Sequence, residues 1–410
     1  MRLNDGFYNN WGHTYYFQKD GTRLDNGFYN NWGRTYYFGQ GGVRLDDGFY
    51  NNWGHTYYFQ KDGSRLDNGF YNNWGHTYYF GQGGVRLDDD FYNNWGHTYY
   101  FQKDGSRDGS RLDNGFYNNW GHTYYFGQGG VRWDNRWMST WGNCYYFGND
   151  GARITSQYFV VDGIIYFFDE QGIAHDDPLV TAWKTIINNY KGHNVAIAVQ
   201  SQKDGIVHQY SNNPAHRFTM ASTVKVAVLA QLLHNTNGNL NSYQQSLAER
   251  MIRNSDNNAT TEIVKNYLGG VSRMSEIYSA LGMSDTTPGY GNYWGLTTTT
   301  PVDQLKLLNQ IYLAPYSNYL NDASRNYIKN LMGSVNADQN WGISAGSSQF
   351  YVKNGWLALS PSWRWYVDSI GFIPQDGNGY TIAVYTDNNL PMSTGVNLIE
   401  LLARTTKKYI

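Results

Sequence analysis

Apolar and polar positions in residues 1–174 follow a fixed short rhythm. The string G-F-Y-N-N-W-G-H-T-Y-Y-F begins at Gly6, Gly27, Gly48 and Gly69. It recurs with Asp90 in place of its glycine, and again from Gly115. The period is 21 residues, apart from a last step of 25 that carries a duplicated Asp-Gly-Ser-Arg at 104–111. Two diverged copies follow, one around Trp141–Phe147 and one around Gly163–Phe168. The segment after each Tyr-Tyr-Phe alternates between Gln-Lys-Asp-Gly and Gly-Gln-Gly-Gly, the trace of a duplicated 42-residue unit. A fixed short period predicts a stacked array, here of about eight units, in which each unit buries its face on its neighbours. Tyr15-Tyr16-Phe17 is a β-favouring run, and Asn9-Asn10 and Lys19-Asp20-Gly21 are turn chemistry, so each unit predicts a short hairpin. Aliphatic residues are few, so the core of the array must be aromatic. Alternation along a strand lets one tyrosine of each pair pack inward while the other faces out.

From 175 to 410 the pattern changes to that of an ordinary globular chain. Leu179–Tyr190 has helical spacing. Asn194–Gln200 and Gly205–Tyr210 read as strands joined by a turn at Lys203-Asp204-Gly205. Phe218–Leu233 reads as a helix with Ser222 or Thr223 as its cap. Helices are expected at about 244–267, 271–281, 301–313 and 322–333. Three strands follow at Phe350–Leu357, Trp363–Phe372 and Tyr380–Thr386, then an amphipathic helix over Gly395–Lys408. Long-separated strands in one antiparallel sheet, with helices segregated from it, make an α+β domain.

Composition sharpens the boundary. Residues 1–174 hold 29 of the 46 glycines, 22 of the 38 tyrosines and 9 of the 15 tryptophans, and none of the 8 prolines. The expected domains are therefore 1–174 and 175–410. Formal net charge is −2, which gives no bulk reason to bind nucleic acid. The single cysteine excludes an intramolecular disulfide framework and any cysteine-based metal cluster. No apolar run is long enough to span a membrane as a helix. His13, His55, His76, His97 and His122 share one repeat position that carries Arg34 in the second copy, which is poor logic for a metal site. The sequence opens inside a repeat, at Met1–Phe7, without a basic, apolar, small-residue leader. It reads as a truncated chain, a miscalled start or a mature fragment.

Three short motifs fall in order within the second part: Ser222-Thr223-Val224-Lys225, Ser255-Asp256-Asn257 and Lys353-Asn354-Gly355. This S-x-x-K, S-D-N, K-x-G set is the signature of penicillin-recognising serine hydrolases. A serine hydroxyl needs a base to become a good nucleophile, and a lysine one helical turn along lies on the same face. At a helix N-terminus the serine's own N–H points toward the reacting carbonyl. Lysine serves as base only when burial or neighbouring cations lower its pKa. Ser255 can relay a proton between Lys353 and the leaving nitrogen, and Asn257 offers an amide to the substrate. The strand carrying Lys353 can supply the second oxyanion donor from the Trp356 backbone, beside Asn354 and Gly355 as substrate-binding positions.

Around these motifs the chain resembles the class A β-lactamases over about 190–410. Phe218–Ser222 is similar to the approach to the family nucleophile, Met251–Thr260 to its second motif, and Thr298-Thr299-Thr300-Pro301 to the end of its omega loop. The resemblance implies a β-lactamase or transpeptidase-like fold that needs no cofactor. It implies Ser222 as acylated nucleophile, Lys225 as base, Ser255 as relay, Asn257 as substrate contact, and Lys353 as relay and carboxylate anchor. The acyl donor would be a peptidoglycan peptide, an ester or a β-lactam. Three departures stand out. The loop at about 283–300 contains no glutamate and only Asp285 as carboxylate, with Glu262 and Glu276 on helices outside it. The Ser222–Ser255 spacing is short for class A. Asn354 replaces the usual Thr or Ser. Acylation without efficient β-lactam turnover is the expected outcome.

The units of 1–174 resemble the cell-wall-binding repeats of the choline-binding and glucan-binding families. That likeness implies a β-hairpin solenoid with aromatic pockets between successive units for choline or sugar rings on a wall polymer. The candidate rings are Trp11, Tyr15, Tyr16, Trp32, Tyr36, Tyr37, Trp53, Tyr57, Tyr58, Trp74, Tyr78, Tyr79, Trp95 and Trp120, each of which can equally serve only to pack the solenoid. Together the two resemblances imply an extracellular, wall-associated protein of a Gram-positive cell. A serine hydrolase tethered by its repeats is the leading reading. A true β-lactamase using Asp285 or another base, and a wall-binding adhesin with an inactive second domain, are the alternatives.

Overall fold

The structure is a computed structural model and describes residues 5–103, 110–359 and 364–410. Most of the duplicated 104–111 segment, and Trp363 at the start of an expected strand, lie outside the described residues. The chain divides into two compact units. One comprises 1–155 with 170–174; the other comprises 156–169 with 175–410. The hairpin at 156–169 therefore groups with the second unit.

In the repeat unit each copy is a two-stranded antiparallel hairpin of five-residue strands, such as Gly6–Asn10 with His13–Phe17. The register sets Phe7 opposite Tyr16 and Tyr8 opposite Tyr15. That pairing of rings forces the turn onto Trp11 and Gly12, and the expected turn at Asn9-Asn10 is corrected: both asparagines are strand residues facing Thr14 and His13. A two-residue hairpin turn of this hand needs positive φ at both positions. Gly12 adopts +79° without strain, but Trp11 sits at +50°. For a side chain with a Cβ this costs about 1–2 kcal/mol. The same tryptophan conformation recurs at Trp32, Trp53, Trp74, Trp95, Trp120 and Trp141, at φ between 48° and 57°.

The core of the array is aromatic, as its composition requires. Phe38, Phe59, Phe80, Phe101, Phe126 and Phe147 are fully buried. Tyr16 stacks on Tyr29 of the next hairpin at 3.8 Å, and Tyr58 on Tyr71 at 3.7 Å. The Arg44 N–H donates to Thr14 O at 2.8 Å, tying a later connector back to an earlier hairpin. The six connectors from Arg23 to Arg132 each carry a bidentate Arg–Asp pair, Arg23–Asp25 being the first at 2.7 and 2.9 Å. Gly42 must be glycine twice over. Its φ is +69°, and a Cβ there would lie 2.5 Å from Arg23 Cδ.

The second unit is built on a five-stranded antiparallel sheet. Its order is Val207–Ser211, Asn194–Ser201, Tyr380–Asn389, Arg364–Ile373, Tyr351–Leu359. Alternation along Asn194–Ser201 splits its apolar residues between two cores. Val195, Ile197 and Val199 join Leu179, Trp183 and Leu398 in one. Ala196 and Ala198 join Val224, Val226 and Ala227 in the other. Helices α1 (Pro178–Ile187) and α8 (Met392–Tyr409) supply the first core. The second contains α2 (Val224–Asn235), α3 (Ser242–Arg253), α4 (Asn257–Asn266), α5 (Ser275–Ala280), α6 (Pro301–Tyr312) and α7 (Asp322–Met332). This is the expected α+β arrangement.

Two local expectations change. The segment at 244–267 is two helices, because Ser255 takes φ +59° and Asp256 caps α4 by accepting from the Asn258 and Ala259 N–H groups. The helix expected from Phe218 begins only at Val224. Phe218–Thr219 pairs instead with Thr298–Thr299, and Ala221–Thr223 is a single 3₁₀ turn. Thr223 occupies the N-cap position of α2 but makes no side-chain capping bond there. The Thr223 hydroxyl donates to Met220 O at 2.7 Å and lies 2.8 Å from the Tyr385 hydroxyl.

Candidate functional site

Four elements converge on Ser222. The nucleophile candidate sits in the 3₁₀ turn that feeds α2, directly after Ala221, whose φ of +44° is strained for a residue with a Cβ. Lys225 lies in the first turn of α2. Ser255 occupies the break between α3 and α4, and Lys353 projects from the edge strand Tyr351–Leu359.

The Lys225 ammonium nitrogen lies 2.8 Å from Ser222 Oγ, 3.1 Å from Ser255 Oγ, 2.7 Å from Ser255 O and 2.8 Å from Asn257 Oδ1. Lys353 Nζ lies 2.9 Å from the same Ser255 Oγ and 2.8 Å from Asn354 O. A continuous chain of short contacts therefore runs Ser222–Lys225–Ser255–Lys353. Both lysines are buried, while Ser222 keeps some exposure and Asn257 is open to solvent. Burial lowers the Lys225 ammonium to about 7, against the opposing pull of the Asp256 carboxylate. Burial, reinforced by the Lys225 charge, holds Lys353 well below the usual lysine range. Two amines that readily give up a proton, joined through a hydroxyl, can take a proton from Ser222 and carry it onward.

Gly355 sets how closely the edge strand approaches the nucleophile. A Cβ at 355 would fall 2.7 Å from Met220 O and 3.0 Å from the Ser222 and Thr223 nitrogens. Gly355→Ala is expected to push the Ser222 turn away from the strand. Any reaction at Ser222 Oγ should slow on the order of 10²-fold, since small misplacements carry that cost. Circular dichroism should report an unchanged fold.

Asn354 departs from its expected role. It is buried, and its amide nitrogen donates to Gln339 O and Trp341 O at 2.9 Å each. On a strand, the residue after Lys353 faces the other side of the sheet. The Asn354 side chain therefore holds the 339–341 segment rather than a substrate.

The 283–300 loop contributes a residue that sequence reasoning passed over. The Trp294 indole lies over the Lys225 ammonium at 5.1 Å from its ring centre, and its N–H donates to Thr261 Oγ1 at 3.1 Å. Scanning that loop only for carboxylates hid it; its cluster of Tyr290, Tyr293 and Trp294 was the available signal. Asp285 is engaged by Arg217 at 2.5 Å. Glu262 accepts from Asn266, and Glu276 pairs with Arg273. None of these contacts involves Ser222 or Lys225.

The repeat aromatics sort into two classes. Tyr16, Tyr37, Tyr58 and Tyr78 are buried, and Tyr79 stacks on Tyr92 at 3.9 Å. Tyr15, Tyr36 and Tyr57 lie beneath Arg23, Arg44 and Arg65 at 5.8–5.9 Å. Tyr16, Tyr37, Tyr58 and Tyr78 are thus packing residues, while Tyr15, Tyr36 and Tyr57 keep partial exposure. At the junction between successive hairpins Phe7, 39% exposed, meets Tyr29 and Tyr36 edge-on at 5.8 and 5.2 Å. Trp11, Trp32, Trp53, Trp74, Trp95 and Trp120, with Trp141, are the opposite case, 85% to 97% exposed. Among the described residues no group of His, Cys, Asp and Glu forms a metal site.

Residues 237–410 match the Beta-lactamase2 family model, described as the beta-lactamase enzyme family. That span includes Ser255–Asn257 and Lys353–Gly355 and begins after Lys225. Among solved structures the chain is similar to the TLA-3 extended-spectrum beta-lactamase, at 16% identity over 56% of this chain and 98% of that one, with a TM-score of 0.49. It is similar to PBP-A at 18% identity over 56% and 94%, with a TM-score of 0.48. It is also similar to CbpJ from Streptococcus pneumoniae TIGR4, at 24% identity over 42% and 57%, with a TM-score of 0.35. No curated protein sequence matches.

Proposed function

We propose, for a chain that joins a beta-lactamase-family domain to an array of aromatic hairpin repeats, a wall-tethered serine hydrolase that acylates on Ser222 and releases the acyl group slowly. The observation that carries this reading is the contact chain Ser222–Lys225–Ser255–Lys353, at 2.8, 3.1 and 2.9 Å. Neutral Lys225 takes the Ser222 proton as Oγ attacks the acyl carbonyl carbon. The Ser222 and Trp356 backbone N–H groups receive the developing oxyanion. Asn257, whose Oδ1 already accepts from Lys225, presents its amide nitrogen to the substrate. Ser255 and Lys353 carry a proton toward the leaving nitrogen.

Release by water needs a base beside the ester, and in this site Trp294 lies over Lys225 while Asp285 is held by Arg217. The acyl donor is a peptidoglycan peptide, an ester or a β-lactam, and the repeats hold the enzyme on wall polymer, choline-bearing or glucan, outside the membrane. No described helix is long and apolar enough to cross a membrane.

The test is a chromogenic cephalosporin followed over time. A burst of about one equivalent per chain, followed by little further release, is expected. Sustained turnover would point to a true β-lactamase, and no burst to an inactive domain.

A further inference from the structure

The hairpin tips carry an unusual choice of residue. A type I′ turn favours Asn, Asp or Gly at its first central position, because these tolerate positive φ. Here that position is tryptophan in seven successive hairpins, from Trp11 to Trp141. The indoles gain nothing from packing. They are almost fully exposed, and none has a ring partner or an indole hydrogen bond among the described residues. A strained backbone bearing a solvent-exposed ring at the same place in seven hairpins serves neither the turn nor the core. Strain that persists in this way marks a functional position.

We propose that these tip tryptophans are stacking platforms for a neutral polysaccharide, one sugar face per indole, an inference that rests on the polymer-binding reading of the repeats. Three observations fix the ligand class. A quaternary ammonium is held by a cage of several rings. Each tip offers a single ring, and Phe7, Tyr29 and Tyr36, which meet at the junction between successive hairpins, are not part of it. A flat, isolated indole instead matches the apolar face of a sugar.

The tips are also nearly free of fixed charge. The first reads Asn9-Asn10-Trp11-Gly12-His13-Thr14, with no carboxylate, and Arg34 in the second is neutralised by Asp62 at 2.8 Å. The paired charges lie in the connectors, as at Arg23–Asp25. A charged polymer finds no partner at the tips, whereas a neutral glycan loses nothing there. Finally, Asn10 and His13 flank the indole, exposed and without side-chain hydrogen bonds among the described residues, so they are available to sugar hydroxyls. Seven weak platforms in one chain add up through avidity on a repeating ligand.

The test replaces Trp32, Trp53 and Trp74 together by asparagine in the full chain. Asn-Gly is the favoured sequence for this turn, so the variant keeps or raises its Tm and loses only the indoles. Binding is measured on an insoluble neutral glucan, on a choline-bearing polymer with and without free choline, and on phosphatidylcholine vesicles. The proposal expects the wild type on the glucan, unreleased by choline, and an affinity loss on the order of 10²-fold for the triple variant. The wild type should also lose acrylamide quenching of its tryptophan fluorescence when glucan is added.

Equal glucan binding by variant and wild type would overturn the tip sites. So would binding only to the choline polymer, released by choline and unaffected by the substitutions, although the tether reading would then survive. Capture by vesicles alone would show a bilayer-facing strip and overturn the glycan assignment. A wild type that binds none of the three would sink the tether reading together with the tip sites.

Discussion

Ser222→Ala is expected to remove covalent modification by penicillins altogether. Hydrolysis of any activated ester should fall at least ~10⁴-fold, the scale seen when a nucleophile acting as part of a catalytic unit is lost. The effect is specific because among the described residues the Ser222 hydroxyl has a single hydrogen-bond partner, Lys225 Nζ. Its removal disturbs no backbone contact, for the turn is held by the Thr223 hydroxyl on Met220 O and by the Met220 N–H on Thr297 O. Thermal melting should therefore be nearly unchanged. A variant that still forms the adduct would place the nucleophile elsewhere.

Lys225 should govern how fast the hydroxyl reacts and at what pH. It works as a base only when neutral, and burial brings its ammonium to about 7. The sign follows directly. Below that value most of the chain holds a charged lysine that cannot take the Ser222 proton. The acylation rate therefore rises with pH and levels off above about 7. Lys225→Ala should slow acylation by roughly 10²–10⁴-fold and abolish that inflection. A stopped-flow series of acylation rates against pH, on wild type and variant, provides the check. A pH profile in the variant that keeps the same inflection would assign it to another group. Trp294 bears on the same quantity, since its ring faces the charged form of the lysine at 5.1 Å and favours it.

The site was legible in sequence to an uneven degree. A serine and a lysine three residues apart at the head of an apolar segment follow from helical periodicity, and the structure brings them to 2.8 Å. That Ser255 and Lys353 would join them rested on motif order, because contacts between residues about 100 positions apart leave no local trace. The local geometry that makes the contacts possible was not readable. Ser255 turns into the site through a left-handed backbone at φ +59°, a conformation that its residue type does not announce.

Asn354 was misjudged for a different reason. Its motif position suggested a substrate contact, whereas strand alternation and the carbonyls of Gln339 and Trp341 take it inward. The hairpin tips show the same limit. Asn9-Asn10 has turn chemistry, but the turn was fixed by which rings pair across the strands, and that register exists only once both strands are in place. The aromatic core and the α+β order were easier. They depend on composition and periodicity, which act over many residues and survive errors at any one of them.

The central claim is that the second unit acylates on Ser222 and holds the acyl group. Intact-mass spectrometry of the full chain after exposure to benzylpenicillin, followed by peptide mapping, tests it most directly. The account predicts one penicilloyl group per chain, on the peptide containing Ser222, still present long after free drug is removed. An unmodified chain, or an adduct on a different residue, would contradict it, as would an adduct that disappears within seconds while hydrolysed drug accumulates.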